Sequence, residues 1–189
     1  MRERISPRMA RAIRLVTLDV DGVLTDGGIY MGRTRGGEQL ELKRFHITDG
    51  LGIKLLGWAG IRVVLVSGRE SPATTIRAEE LGIECYQDDS ARKVPIIEQL
   101  LSRHGLGWHE VAFLSDDIAD LPVLERVGLP VAVANAVREV KAAAAWVTRR
   151  PGGSGAVREF AEALLTARGE WGRLVDGYRR SRLEATDGS

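Results

Sequence analysis

The sequence predicts an α/β fold, a parallel sheet held between helices, and three observations carry that prediction. Short apolar runs built on Ile13, Leu15, Val16 and Leu18, on Ile61–Val66 and on Val111–Leu114 have the length and β-branched content of buried strands. Segments with helical spacing separate them, the alternation that produces parallel sheets. Each run ends in acidic, hydroxylic or glycine residues: Asp19 and Asp21, then Ser67-Gly68, then Ser115-Asp116-Asp117. Carboxyl ends of parallel strands are where such folds bind ligands.

Taken in order, residues 1–10 read as a basic arm or short helix, and the first strand spans about 13–20. Ile29–Met31 and Gln39–Phe45 flank the glycine-rich stretch Gly32–Gly37, which predicts a β-hairpin inserted over about 26–48. Isolated hairpins are marginal, so this one needs a partner surface, which another subunit can supply. Asp49 can cap a helix carrying Ile53, Leu56 and Trp58. After the strand Ile61–Val66 come a helix over Pro72–Leu81, a short strand near Cys85 and a helix over Lys93–His104. The strand Val111–Leu114 leads to a helix ending near Val127. Strands at Val131–Val133 and Trp146–Thr148 bracket an alanine-rich helix over 136–145, and Gly155–Thr166 is a last helix. Linkers, repeats and low-complexity tracts are absent, so residues 1–189 read as one domain with a polar, mobile tail from about 175.

Bulk properties narrow the function classes. With 189 residues the chain can bury one sizeable core. Its 44% hydrophobic and 28% charged content is ordinary for a soluble globular protein. A net charge of +1 gives no electrostatic reason to expect nucleic acid or a membrane as partner. A single cysteine, Cys85, excludes an intrachain disulfide and suits a reducing compartment. No segment reaches the ~20 apolar residues of a membrane span, and no signal-peptide core is visible. The expected location is cytoplasmic.

The strand ends carry the chemistry. Two carboxylates separated by one residue at the end of a buried strand are costly unless employed. In phosphoryl transfer one can attack phosphorus while the other protonates the leaving alcohol and later activates water. A Mg²⁺ ion would offset the combined charge of carboxylates and phosphate. The competing reading is a helix cap or Asx turn. Ser67 and the Gly68 amide can bind phosphate oxygens, although Ser-Gly alone is an ordinary turn. Lys93, near a helix start, can neutralise phosphate or orient a nucleophile; taken alone it is a solvated helix lysine. Asp116 and Asp117 would lie beside Asp19 and Asp21, and Asp117 can equally serve as an N-cap.

The run Asp19-Val-Asp-Gly-Val-Leu-Thr25 resembles the first motif of the haloacid dehalogenase-like phosphatases. With Ser67, Lys93 and Asp116-Asp117 in order, all four motifs of that superfamily are matched. The continuation Asp26-Gly-Gly-Ile-Tyr-Met-Gly32 resembles the capless subgroup that includes the 3-deoxy-D-manno-octulosonate 8-phosphate (KDO-8-phosphate) phosphatases. The resemblance spans about residues 13 to 168. It implies a Rossmann-like, capless fold with a hairpin after the first strand. It also implies a Mg²⁺-dependent phosphatase of a small phosphosugar acid, acting in lipopolysaccharide precursor synthesis.

The same resemblance implies roles for individual residues. Asp19 would be the nucleophile and Asp21 the acid/base. Asp19, the Asp21 backbone carbonyl and Asp116 would hold the metal, while Ser67, Gly68 and Lys93 would clamp phosphate. Asp117 and Asp120 would support the metal loop. The family's sugar-binding loop matches His46, Ile47, Thr48, Asp49 and Gly50, with Lys54 following. Its arginines match Arg69 and Arg77, suited to the carboxylate of a 2-keto-3-deoxy acid; Arg77 reads equally well as a surface helix residue. Gly152–Glu159 resembles a further signature that, in the family, reaches a neighbouring active site together with the tail beyond it, and the family's hairpin helps to build a homotetramer. His46, Thr48, Lys54, Ser115 and Ser154 depart from the commoner family residues, which leaves a nine-carbon sugar acid phosphate as an alternative substrate. A non-catalytic oligomerisation domain is a third reading, opposed by the intact acids.

Overall fold

A computed structural model describes residues 4–184. Its centre is β1 (Leu15–Leu18), every residue of which is buried. To one side lie β4 (Arg62–Ser67) and β5 (Glu84–Gln87); to the other lie β6 (Val111–Ser115), β7 (Leu129–Ala132) and β8 (Trp146–Val147). The resulting sheet has six parallel strands in the order β5-β4-β1-β6-β7-β8. The apolar runs form central strands because they are short, aliphatic and covered on both faces.

The chain moves outward from β1 to β4 and β5 through α2 (Ile47–Trp58) and α3 (Pro72–Leu81). It then returns past β1 through α4 (Lys93–His104), α5 (Leu121–Leu124) and α6 (Arg138–Ala143). Right-handed crossovers place these two sets of helices on opposite faces of the sheet. The reversal on either side of β1 creates a crevice at its carboxyl end. Leu18 lies opposite Leu65 and Leu114, so the residues that follow in β1, β4 and β6 emerge together.

α7 (Ala156–Arg168) buries Ala156, Val157, Phe160, Ala161, Leu164 and Leu165, a stripe at helical spacing. It packs on α2 and also touches α1 (Pro7–Ala12) and α8 (Trp171–Glu184). Phe113 and Phe160 are the largest wholly buried side chains of the core.

Between β1 and α2, β2 (Thr25–Arg33) and β3 (Gln39–Phe45) pair antiparallel as a separate two-stranded sheet. Ile29, Tyr30, Met31, Leu40 and Leu42 of this hairpin are exposed.

Two expectations change. β1 is shorter than 13–20, because the chain leaves the sheet at Asp19 into a tight turn over Val20–Leu24. The segment read as a tail from about 175 is helical to Glu184: Leu174 is buried and Tyr178 lies against Trp58, with ring centroids 5.8 Å apart. Residues 185–189 and the start of the basic arm, 1–3, lie outside the described residues. Among those described, no helix is long and apolar enough to cross a membrane.

Candidate active site

Asp19 leaves β1 with its amide donating to the Leu114 carbonyl at 3.1 Å. Its carboxylate meets Lys93 at the first turn of α4, 2.6 Å from Oδ1. Lys93 Nζ also lies 2.7 Å from Asp120 Oδ1, and all three residues are buried. Burial alone would push the Lys93 ammonium down; the charges of Asp19 and Asp120 outweigh it and hold the pKa above the ordinary value. Lys93 is therefore a cation fixed between two acids, and the reading of it as a solvated helix lysine does not apply. Ala91, at φ 56°, bends the chain into α4 and packs against Gly68, where an added Cβ would sit 3.0 Å from the Ala91 Cβ. That close approach brings the Ser67-Gly68 turn beside the stem of Lys93. Ser67 is buried; its hydroxyl accepts from the Arg69 amide and donates to the Arg69 carbonyl.

Gly22 explains why glycine follows the second aspartate. It adopts φ +89°, and a Cβ there would lie 2.0 Å from Asp116 Oδ2. The turn is held by Thr25, whose buried hydroxyl donates to the Val20 carbonyl and accepts from the amides of Gly22 and Gly27. From the far side, Asn135 donates to the Gly22 carbonyl at 2.9 Å and accepts from the Gly152 amide at 2.7 Å. The Gly152-Gly153 pair thus braces the Asp21-Gly22 turn of its own chain. Thr25 closes the first motif quoted from the sequence, which gave it no role, and Asn135 escaped the sequence reading; Asn135 lies in the loop after a strand, the same signal that exposed the other positions.

Asp116 Oδ1 is buried without a hydrogen-bond partner. Burial first, then the charges of Asp19, Asp120 and Asp117, raise the Asp116 pKa to about 7; burial and Asp19 raise Asp120 to about 6. Such crowding of acids around an unsatisfied oxygen suits a hard divalent cation. Among the described residues no three acidic, histidine or cysteine side chains form a cage by themselves. That agrees with the expected donor set, because Mg²⁺ characteristically takes one or two carboxylates and leaves other positions to water and phosphate. Asp19, Asp116 and the Asp21 carbonyl fit this chemistry. Asp117 turns away to cap the next helical turn, accepting from the Ile118 amide at 2.7 Å.

Asp21 meets a residue that the sequence reading missed. Lys43, on β3, lies 2.7 Å from Oδ1 and 3.0 Å from Oδ2 of Asp21, and donates to Thr74 at 3.2 Å. Its neighbours on the same face of β3 behave alike: Glu41 pairs with Arg69 and accepts from Ser71, and Phe45 lies under the Arg77 guanidinium at 5.6 Å. The Arg69 contact holds the Glu41 pKa below its ordinary value. Alternation along a strand was the only available clue, and it does not say that the inward face of a hairpin is polar.

The predicted sugar-binding residues divide. Arg69 and Arg77 line a groove of about 1080 Å³ between β3 and α3, and Lys43 lines it with them. Arg77 is buried, paired with Glu80 at 2.7 Å and packed on Gly50, so the surface-helix reading of it fails. His46 precedes α2 and its Nδ1 lies 2.7 Å from the Thr48 hydroxyl. Asp49 is wholly buried, and its carboxylate accepts from the Arg158 amide at 2.7 Å in the first turn of α7. That bond ties α2 to α7. Ile47 and Lys54 are exposed on α2.

Comparison with known proteins shows the family. Residues 87–159 match the haloacid dehalogenase-like hydrolase family model. The 3-deoxy-D-manno-octulosonate 8-phosphate phosphatase of Escherichia coli K12 is 43% identical over 161 residues, covering 85% of this chain and 84% of that protein. The crystal structure of the Moraxella catarrhalis 3-deoxy-D-manno-octulosonate 8-phosphate phosphatase, in complex with magnesium, phosphate and KDO, superposes with a TM-score of 0.84. It shares 31% identity and covers 91% of this chain and 97% of that one. A probable YrbI family phosphatase from Pseudomonas syringae gives 0.83 at 42% identity, over 91% and 96% of the two chains. By identity and coverage together, the chain belongs to the 3-deoxy-D-manno-octulosonate 8-phosphate phosphatases of the haloacid dehalogenase-like family.

Proposed function

We propose that this protein is a Mg²⁺-dependent phosphatase that hydrolyses KDO-8-phosphate to KDO and phosphate, supplying lipopolysaccharide precursor synthesis. The observation that carries the chemistry is the buried Asp19–Lys93–Asp120 array beside Asp21 and the unsatisfied Asp116. The substrate comes from the relatives, whose names state it and one of which holds Mg²⁺, phosphate and KDO.

Lys93 engages Asp19 Oδ1, leaving Oδ2 to attack phosphorus. The phosphorus–alkoxide bond breaks, Asp21 donates a proton to the departing oxygen, and an aspartyl-phosphate forms on Asp19. Asp21 then takes a proton from water as that water attacks phosphorus, releasing phosphate and restoring Asp19. Lys93, Ser67 and the Gly68 amide hold the phosphoryl oxygens. Bound through Asp19, Asp116 and the Asp21 carbonyl, Mg²⁺ would offset the charge that carboxylates and phosphate bring together.

Arg69 and Arg77 are assigned to the sugar acid, with His46, Thr48 and Gly50 at the edge of the loop that carries them. Residues 4–184 act as one capless domain, and a homotetramer built through the hairpin would cover its exposed apolar residues and close the cleft. We place the enzyme in the cytoplasm.

The test is phosphate release from KDO-8-phosphate, a nine-carbon analogue and p-nitrophenyl phosphate, for wild type and Asp19→Asn. Preference for KDO-8-phosphate, abolished by EDTA and by the substitution, is expected. Preference for the nine-carbon ester would replace the sugar assignment, and no release from any ester would leave the non-catalytic reading.

A further inference from the structure

We propose that Lys43, contributed by the hairpin, is the positioning residue for the general acid/base Asp21. The inference rests on the role assigned to Asp21 above. Three observations on the page support it.

First, Lys43 hydrogen-bonds Oδ2 of the Asp21 carboxylate at 3.0 Å and stands at ion-pair distance, 2.7 Å, from Oδ1. The terminal torsion of an aspartate is broad and sets the plane of its oxygens. A cation held against both of them fixes that plane. Second, the lysine side chain is wholly shielded from solvent, while Asp21 keeps 27% of its side chain exposed. Surface ion pairs hold geometry poorly because both partners move and water competes; here the cation cannot wander. Thr74, buried in the first turn of α3, takes a further hydrogen bond from Nζ at 3.2 Å and anchors the ammonium from the sheet side.

Third, the hairpin itself is latched at the same face. Glu41, two residues earlier, engages Arg69 and Ser71, and Phe45, two residues later, packs under Arg77. Lys43 is therefore the middle of three inward contacts that seat β3 against the loop after β4 and the start of α3. The charged groups facing it are Asp21 and, two residues earlier on the same face of β3, Glu41. Lys93 holds the nucleophile from one side of the crevice and Lys43 holds the acid/base from the other, each from an element that is not β1.

Position matters here because a reacting group misplaced by about 1 Å can cost about a hundredfold in rate. The cost is selective. Proton donation to the leaving oxygen matters for an alkyl phosphate, whose alkoxide is a poor leaving group, and hardly at all for p-nitrophenyl phosphate. Release of the alcohol is reported by kcat/KM, before water attacks the phosphoenzyme. A residue that only supports the fold, or that binds phosphate, alters both esters alike.

The experiment compares wild type, Lys43→Met and Lys43→Arg on KDO-8-phosphate, on a simple primary-alkyl phosphate and on p-nitrophenyl phosphate. Lys43→Met is expected to lose about a hundredfold in kcat/KM on the alkyl esters and under about fivefold on the aryl ester, the usual scale of acid–base assistance. The loss should fall on kcat rather than KM, and Lys43→Arg should recover most of it. Equal losses on all esters, a change confined to KM, or no change on the alkyl esters overturns the proposal. Should Lys43→Met fail to unfold cooperatively, Lys43→Gln, which keeps a donor for Thr74 but no charge, decides by the same criteria. A wild type active on simple alkyl and aryl phosphates but not on KDO-8-phosphate removes the substrate assignment alone and leaves the Lys43 comparison intact. A wild type inert on every ester overturns both.

Discussion

Replacing Gly22 by alanine should damage stability and Mg²⁺ binding together, and the structure sets the size of each effect. At φ +89° and ψ −7° the backbone lies where an L side chain is strained, at a cost of about 1–3 kcal/mol. The new Cβ would also stand 2.0 Å from Asp116 Oδ2 and 2.6 Å from its Cγ, so the carboxylate has to move. Turning it off its rotamer adds about 1 kcal/mol. Together these give about 2–4 kcal/mol, or roughly 5–12 °C in Tm for a domain of this size. Thermal unfolding by circular dichroism in EDTA reads the strain. Repeating it across a Mg²⁺ titration reads the site, because a ligand at a hundred times its Kd stabilises by about 2.7 kcal/mol. Wild type should show that rise and Gly22→Ala little of it. A variant melting within about 1 °C of wild type would refute the strain estimate. A destabilised variant with an undiminished Mg²⁺ response would refute the placement of Asp116 at the metal.

Lys93→Met strands Asp19 and Asp120 without their shared cation and should cost about 3–5 kcal/mol in urea unfolding, with phosphate release lost; a variant as stable as wild type would contradict the buried array. In EDTA the protein should lose stability as pH rises from about 4 to about 7, because the folded state keeps a proton on Asp116 (pKa about 7) that the unfolded chain, near 3.8, has released. Asp120 acts in the same direction, and partial exposure and screening reduce the effect to about 1–2 kcal/mol. Melting temperatures that climb from pH 5 to 8 without metal would reverse that sign. Phe160→Ala, at the centre of the α7 stripe, should cost about 3–5 kcal/mol by the same urea assay.

The parts of the site that the sequence made legible share a physical cause. Asp19, Ser67 and Asp116 each follow a short aliphatic run, and polar residues after a buried strand must emerge at its carboxyl end. Register then brings them together without further information. Lys43 and Asn135 were hidden because their partners lie 22 and 113 residues away and no local pattern pairs them. Asp49 shows the same limit: an acid at a helix start reads as a local cap or a ligand, and its hydrogen bond across 109 residues to α7 has no local signal. α8 was invisible because its apolar positions are few. Leu174 and Tyr178 hold it to the body of the fold, and a segment with so little to bury looks like a tail until its partner, Trp58, is in view.

The measurement that bears most directly on the account is rapid quenching of the enzyme with phosphate-labelled KDO-8-phosphate and Mg²⁺, followed by peptide mapping. The account predicts transient, hydroxylamine-labile label on the peptide carrying Asp19, absent from Asp19→Asn. Label on another residue, or turnover by Asp19→Asn at the wild-type rate, would contradict it.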